Sequence, residues 1–302
     1  MSTLRGNFGD LLAPGIRKII FGKYAEKPEE FSKIFNVGTS KRQYEQDTQV
    51  SGFGHVPIKP EGVATAYDDP AQGYKTTYTH VSYGLGFRIS REMYDDDLYG
   101  VMSKMAKELA RSARATIESD AANIFNRAFS TSYAHATEGR PLVATAHPLL
   151  KSSGTYDNTL STPASLGVTS LRDAILVIEN MVNERNLPAN LSGKILLVSP
   201  TNKFIARELL GSEWKPGSAQ NEINSLLDED LGYMVSHYFT DSGAWFLLTD
   251  KSDHELNFIW RQKMSFAHDN DFDTDDAKFK IFYRYSLGWS DWRGVTGSNG
   301  TY

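Results

Sequence analysis

The chain has 302 residues, 40% apolar and 12% aromatic, enough for a packed core and unlike a disordered composition. A formal charge of −5, from 32 basic and 37 acidic residues, argues against a dedicated basic nucleic-acid reader. The absence of cysteine excludes disulfides, thiol nucleophiles and thiolate metal sites. No apolar run approaches ~18 residues, so no membrane span is expected. Pro14, Arg17 and Lys18 interrupt any signal-like apolar stretch at the start.

In residues 7–35, Leu11, Leu12, Ile16, Ile19 and Ile20 form an apolar stripe broken at Pro14 and Gly15. Short helical pieces are expected, with a further turn in "KPEEFSKIF" that Pro28 can open. They pack on the main body or form an arm that reaches a neighbouring chain.

Residues 44–89 are dense in Gly, Pro, Tyr and Thr. Residues 74–89 read as one strand of β-formers, paired with an earlier strand near 44–56. Pro57, Pro60, Gly62, Pro70 and Gly73 mark turns between them. A projecting two-stranded ribbon of this kind is marginal alone and needs a surface to lie on, which another subunit can supply.

A long helical pattern follows. Leu98, Met102, Met105, Leu109, Ala113, Ile117, Ala121, Ile124 and Ala128 recur at three- and four-residue steps. Asp95, Asp96 and Asp97 suit its positive start and Arg127 its negative end. A helix over 98–129 would be about 48 Å long at ~1.5 Å per residue. Its Ala-rich second half permits close approach of a packing partner.

Residues 131–168 read as loop. Then "TSLRDAILVIENMVNERN" is expected to be helical, capped by Thr169 or Ser170. "KILLVSP" reads as a short buried strand, and "TNKFIARELLGS" as a helix stopping at Gly211. "GYMVSHYF" and "AWFLLTD" read as strands. The tail, "HELNFIWRQKMSFAH" and "KFKIFYRYSLGWSDWRGVTG", reads as two long aromatic strands joined by an acidic turn. They are expected to form the sheet on which the long helix lies. The fold class is α+β.

The search for chemistry returns little. "DNDFDTDDAKFK" spaces Asp269, Asp271 and Asp273 like a calcium loop, but has Thr274 and Lys280 where the loop needs Gly and Glu. "GLG" at 84–86 lacks the third glycine of a dinucleotide fingerprint, since Ile89 stands there. His147 and Ser242 lie in protease-like fragments but without a nucleophile elbow, so a hydrolase is only a remote alternative. The remaining histidines lack metal-ligand spacing. No catalytic, cofactor-binding or metal-binding residue is assigned.

Ribbon, long helix, α/β unit and closing sheet, in that order, are informative. "HVSYGLGFRISREMYDDDLYGVMSKMAKELARSARATIESD" resembles the ribbon return, "S-R-[EQ]" junction and spine helix of tailed-bacteriophage major capsid proteins with the Hong Kong-97-like fold. "TSLRDAILVIENMVNERNLPANLSGKILLVSPTNKFIARELLGS" resembles their axial domain. "AWFLLTDKSDHELNFIWRQKM" and "KFKIFYRYSLGWSDWRGVTGS" resemble their final strands. The likeness covers about residues 40–298, and Mu-like head subunits are the most similar subgroup.

The resemblance implies an N-terminal arm (1–41), an extended β-hairpin loop (42–88), a peripheral domain (89–135 and 252–298) and an axial domain (136–251). It implies self-assembly into hexamers and pentamers around double-stranded DNA, with portal, scaffolding and decoration proteins as further partners. The implied assembly residues are Leu98, Met102, Met105, Leu109, Ala113, Ile117 and Ile124 on the spine, and Tyr67, Asp68, Asp69, Pro70 and Tyr74 on the extended loop. An encapsulin-type compartment is the alternative with the same fold. Some family members cross-link through Lys and Asn; "GVATAYDDPAQG" has no lysine and "KFKIFYRYS" no Asn or Glu, so no cross-link is expected.

Overall fold

A computed structural model describes residues 9–26, 28–90, 92–93, 96, 100–151, 154–214, 222–271 and 276–300. Two helices open the chain, α1 (Gly9–Tyr24) and α2 (Phe31–Ile34). Helix α1 runs unbroken through Pro14, against the expected interruption. Pro14 lies near its start, where the missing N–H forfeits only one bond to the first turn. Pro28 lies outside both helices.

Strands β1 (Asn36–Thr39), β2 (Tyr44–Val50), β3 (Gln72–Thr79) and β4 (Val81–Ile89) follow. The strand expected over 74–89 is divided at His80. Its first half, β3, pairs antiparallel with β2 as the ribbon. Its second half, β4, pairs with β11 (Ala277–Trp289) in the body. Propensity is equally high on both sides of His80, so only the non-local partner distinguishes the halves.

The spine helix α3 spans Val101–Asn126, 26 residues or about 39 Å. It is shorter than the expected 98–129. Gly100 precedes it with φ +65°, in the left-handed region that glycine adopts without penalty, so the helix starts only at Val101. Asp95, Asp97 and Leu98 lie outside the described residues. Arg127 is the residue just past the helix, and its N–H bonds the Asn123 carbonyl at 3.1 Å.

The remaining elements are β5 (His147–Pro148), β6 (Thr155–Tyr156), α4 (Val168–Glu179), β7 (Ile195–Val198), α5 (Lys203–Gly211), β8 (Gly232–Val235), β9 (Trp245–Leu248), β10 (Leu256–Asn270) and β12 (Val295–Ser298). Gly167, not Thr169 or Ser170, caps α4. The Ser170 hydroxyl instead accepts the Gly167 N–H at 2.9 Å from the third helical position. The tail strand stops at Trp289. Residues 290–294 then turn away, and β12 joins a different sheet.

Two four-stranded sheets result. The first has the order β1-β10-β11-β4, with β1 parallel to β10 and the other pairs antiparallel. The second has the order β12-β9-β7-β8. The spine lies on the first sheet, as expected: Ala113, Ile117 and Ile124 share a core with Phe258, Phe279, Ile281 and Tyr285. Its C-terminal end reaches the second sheet, where Phe125 and Phe246 rings meet at 5.2 Å. Leu197, Phe246 and Leu248 face this core, while Leu196, Val198, Trp245 and Leu247 face a second core with α4 and α5. A sheet buried on both faces has near-continuous apolar strands, and β9 is buried at all four positions.

Candidate assembly surfaces

The spine is covered on two sides. Leu109, Ala113, Ile117 and Ile124 are buried, and Met102 and Met105 are half-buried. These stripe residues pack inside the chain's own core. Three polar residues of the same helix, which periodicity alone passes over, fix it to its neighbours. Asp120 accepts the hydroxyls of Tyr83 at 2.6 Å and Tyr285 at 2.5 Å, tying the spine to β4 and β11. Burial and the Asp120 carboxylate push the Tyr83 phenol up to about 12.

Towards the arm, Glu118 is 4% exposed and accepts the backbone N–H of Glu30 at 3.0 Å and Phe31 at 2.9 Å. Burial raises its pKa, against the lowering by those two bonds. Arg114 donates to the Tyr24 carbonyl and to Glu29, and lies 3.9 Å from the Tyr24 ring centroid. A small void among Glu30, Phe31, Glu118, Phe125, Ser236 and Phe239 has room for about one water.

The ribbon is rooted at its base. The Gln49 amide donates to the Ser290 carbonyl at 2.8 Å, and the hydroxyls of Tyr78 and Ser290 are 2.6 Å apart. Ser51 and Ala71 exchange two bonds, with Ser51 N–H and hydroxyl both engaged. Beyond this closure the chain leaves regular structure over residues 51–71. Val56 and Ile58 are each 94% exposed and Tyr67 is 95% exposed. Pro70 is exposed as well, and Tyr74 is half-buried at the root. Asp68 accepts the Gly54 N–H at 3.0 Å and the Arg185 guanidinium at 3.1 Å. These contacts hold its carboxyl below the usual range. The same Arg185 nitrogen donates to the Asp69 carbonyl at 3.0 Å. Arg185 was invisible as a partner in sequence because it lies over a hundred residues away and in no motif.

The remote hydrolase pairing finds no support in the geometry. His147 is 1% exposed and stacks on Trp292 at 4.3 Å. Its Nδ1 meets Glu138 at 2.5 Å and its Nε2 meets the Asn158 side-chain oxygen at 3.1 Å. Asn158 donates its amide to Leu142 and Val295 carbonyls, which fixes that oxygen as an acceptor and Nε2 as a donor. Neither ring nitrogen is open to a hydroxyl. Among the described residues there is no His/Cys/Asp/Glu group able to hold a metal ion. No described helix is long and apolar enough to cross a membrane.

A mixed α+β subunit with a projecting ribbon, a long spine on a four-stranded sheet and a second two-faced sheet is the Hong Kong-97-like capsid fold. The family model described as phage capsid protein matches residues 73–297, and the chain belongs to that family. The chain is similar to the solved capsid of cyanophage P-SCSP1u at 10% identity and a TM-score of 0.62, covering 91% of this chain and 89% of that one. It is similar to the capsid of a native GTA particle at 10% identity and 0.58, covering 91% and 92%. The virus-like particle of Pyrococcus furiosus gives 11% identity and 0.55, covering 94% and 98%. No curated protein matches the sequence significantly.

Proposed function

We propose that the chain is the major capsid subunit of a bacteriophage head, assembling as hexamers and pentamers into an icosahedral shell around double-stranded DNA. The observation that carries this reading is the extended loop, which holds Val56, Ile58 and Tyr67 almost wholly exposed on a tightly rooted ribbon. Apolar side chains so displayed favour coverage by a partner, and copies of the same subunit are the partner a shell provides.

In this reading residues 1–41 are the arm, 42–88 the extended loop, 89–135 and 252–298 the peripheral domain, and 136–251 the axial domain, with β4 built into the peripheral sheet. The spine residues Leu98, Met102, Met105, Leu109, Ala113, Ile117 and Ile124 serve assembly indirectly, by making a rigid tile. Tyr67, Asp68, Asp69, Pro70 and Tyr74 set and line the contact made by the loop. Portal, scaffolding and decoration proteins are further partners; the subunit has no catalytic role and forms no self-catalysed cross-link. The virion is its final location, after assembly in the host bacterial cytoplasm.

Electron microscopy of the purified chain tests the proposal. Closed shells built of six- and five-fold rings are expected. Monodisperse monomers under every assembly condition would sink it. The similarity to the Pyrococcus furiosus particle keeps a protein compartment as the second reading. Nucleic-acid content of particles from the native source separates them: duplex DNA supports the phage head.

A further inference from the structure

The void beneath the arm lies between α2, the spine and the segment linking β8 to β9. Its lining is apolar except at Glu30, Glu118 and Ser236. Two carboxylates therefore border one space with room for about one water. Glu118 is 4% exposed, and each of its oxygens accepts one backbone N–H, from Glu30 and from Phe31. Glu30 Oε1 lies 3.1 Å from His237 Nδ1. Glu30 Oε2 is buried and has no hydrogen-bond partner among the described residues. A buried carboxylate oxygen without a donor is costly, and a second carboxylate beside it adds to the cost.

The surrounding groups do not balance this pair. Glu29 is a third carboxylate, and Arg114 divides its guanidinium between Glu29 and the Tyr24 carbonyl. Lys251 directs its ammonium at the Ser32 carbonyl. The His237 side chain is 68% exposed and stands on the solvent side. Two phenols complete the surroundings, and neither supplies charge. Burial is the main cause that pushes Tyr24 up to about 12; burial, then Glu118 and Glu30, raise Tyr238. Three carboxylates thus share one guanidinium at a junction with little water. Burial chiefly raises the Glu118 carboxyl above its ordinary range, and Glu30 adds to this; the two N–H bonds and Arg114 oppose it.

We propose that this junction is a proton-held latch, in which docking of the arm on the spine takes one proton from solvent onto Glu118 and shares it across the void with the unpartnered oxygen of Glu30. A protonated carboxyl supplies the O–H donor that Glu30 Oε2 lacks and keeps acceptor capacity for both N–H groups. With the arm released, Glu118 stands in water with an ordinary carboxyl affinity for protons. The docked state binds the proton more tightly. Its contribution is complete below the ordinary value of 4.5 and is lost as pH rises through the raised value. Acid fastens the arm, and neutral to alkaline solution loosens it. The latch belongs to the single subunit and does not depend on the shell.

Hydrogen exchange of the full chain at pH 5 and pH 8 tests it, read as protection factors so that the intrinsic pH dependence of exchange cancels. Protection of residues 30–35, relative to that of β11, is expected to fall several-fold from pH 5 to pH 8. Glu118→Gln carries no titrating proton, so its ratio between the two pH values is expected to collapse to near unity. Glu30→Gln removes the neighbouring charge and should shrink the response as well. His237→Gln should leave it intact. Equal wild-type protection at both pH values would overturn the latch. A response that survives in Glu118→Gln, or one abolished by His237→Gln, would place the proton elsewhere and overturn it too. Should Glu118→Gln fail to fold, Glu30→Gln decides, since that side chain is 26% exposed. An undiminished response there would again overturn the proposal.

Discussion

One guanidinium nitrogen of Arg185 holds the Asp68 carboxylate at 3.1 Å and the Asp69 carbonyl at 3.0 Å. The Gly54 N–H closes the other side of Asp68 at 3.0 Å. Two strands of an otherwise irregular loop are thereby fastened to each other and to the segment around Asn183, which orders Arg185 through its own backbone bond. Arg185→Ala is expected to speed proteolytic cleavage within residues 52–71 while leaving the melting temperature of the subunit unchanged. A cleavage rate equal to wild type would remove the clamp's role in directing the loop.

Glu118 ends the chain's arm in the same manner that a capping residue ends a helix: it satisfies two backbone donors that have no other partner in their turn. It also balances Arg114, which is 7% exposed beneath the arm. Arg114 keeps its own pair with Glu29, so Glu118→Ala chiefly leaves the Glu30 and Phe31 N–H groups without an acceptor, for a loss of about 2–4 kcal/mol. Hydrogen exchange should show the loss as faster exchange confined first to residues 28–35. Uniform acceleration across both sheets would mean that Glu118 supports the whole core instead of the arm.

The spine's stripe was legible because amphipathic helix period is local: three- and four-residue steps alone put Leu109, Ala113 and Ile117 on one face. The same reasoning could not find that Ala106, Ala110, Ala122 and Phe125 are buried too, because the second covered side is made by α1 and α2, far away in sequence. Nor could it divide the strand at His80 or end β11 at Trp289, since both breaks exchange one strand partner for another without a change in local propensity. The loop tip was readable as exposed from its prolines and glycines; its anchor, Arg185, was not. Substituting Leu109, which is 6% exposed, tests the legible part. Leu109→Ala should cost about 2–5 kcal/mol in chemical unfolding, and Leu109→Asp should prevent folding or assembly. Normal particles from Leu109→Asp would show the stripe tolerates charge.

Gly86 shows a close approach that sequence could only suggest. A Cβ placed there would lie 2.5 Å from the Phe279 carbonyl oxygen and 3.1 Å from Lys280 Cβ. Backbone cannot retreat as a flexible side chain can, so Gly86→Ala must separate β4 from β11 locally. A cost of about 1–3 kcal/mol is expected by chemical unfolding. Gly84→Ala, where the nearest atoms are at 3.7 Å, serves as the control and should cost much less. Equal losses at both positions would show that glycine in this strand matters for some reason other than contact with β11.

His254 couples the fold to pH. It is 2% exposed, its Nδ1 accepts the Leu256 N–H at 3.3 Å, and its carbonyl receives the Asn36 amide at 2.9 Å. Burial is the main cause holding its pKa down to about 4; Lys251 adds to the lowering, and Asp250 and Asp253 oppose it. The unfolded chain binds the proton near pH 6.5. Between these values the unfolded state takes up a proton that the folded state refuses. The stability contribution is therefore complete above pH 6.5 and is lost as pH falls towards 4, about 3 kcal/mol in all. Urea unfolding of wild type and His254→Gln at pH 7 and pH 4.5 isolates this contribution, because the acidic groups common to both cancel in the difference. Wild type is expected to lose about 2–3 kcal/mol more than the variant over that interval. Equal losses would mean that the folded state protonates His254 freely, and that the turn between β9 and β10 opens without cost.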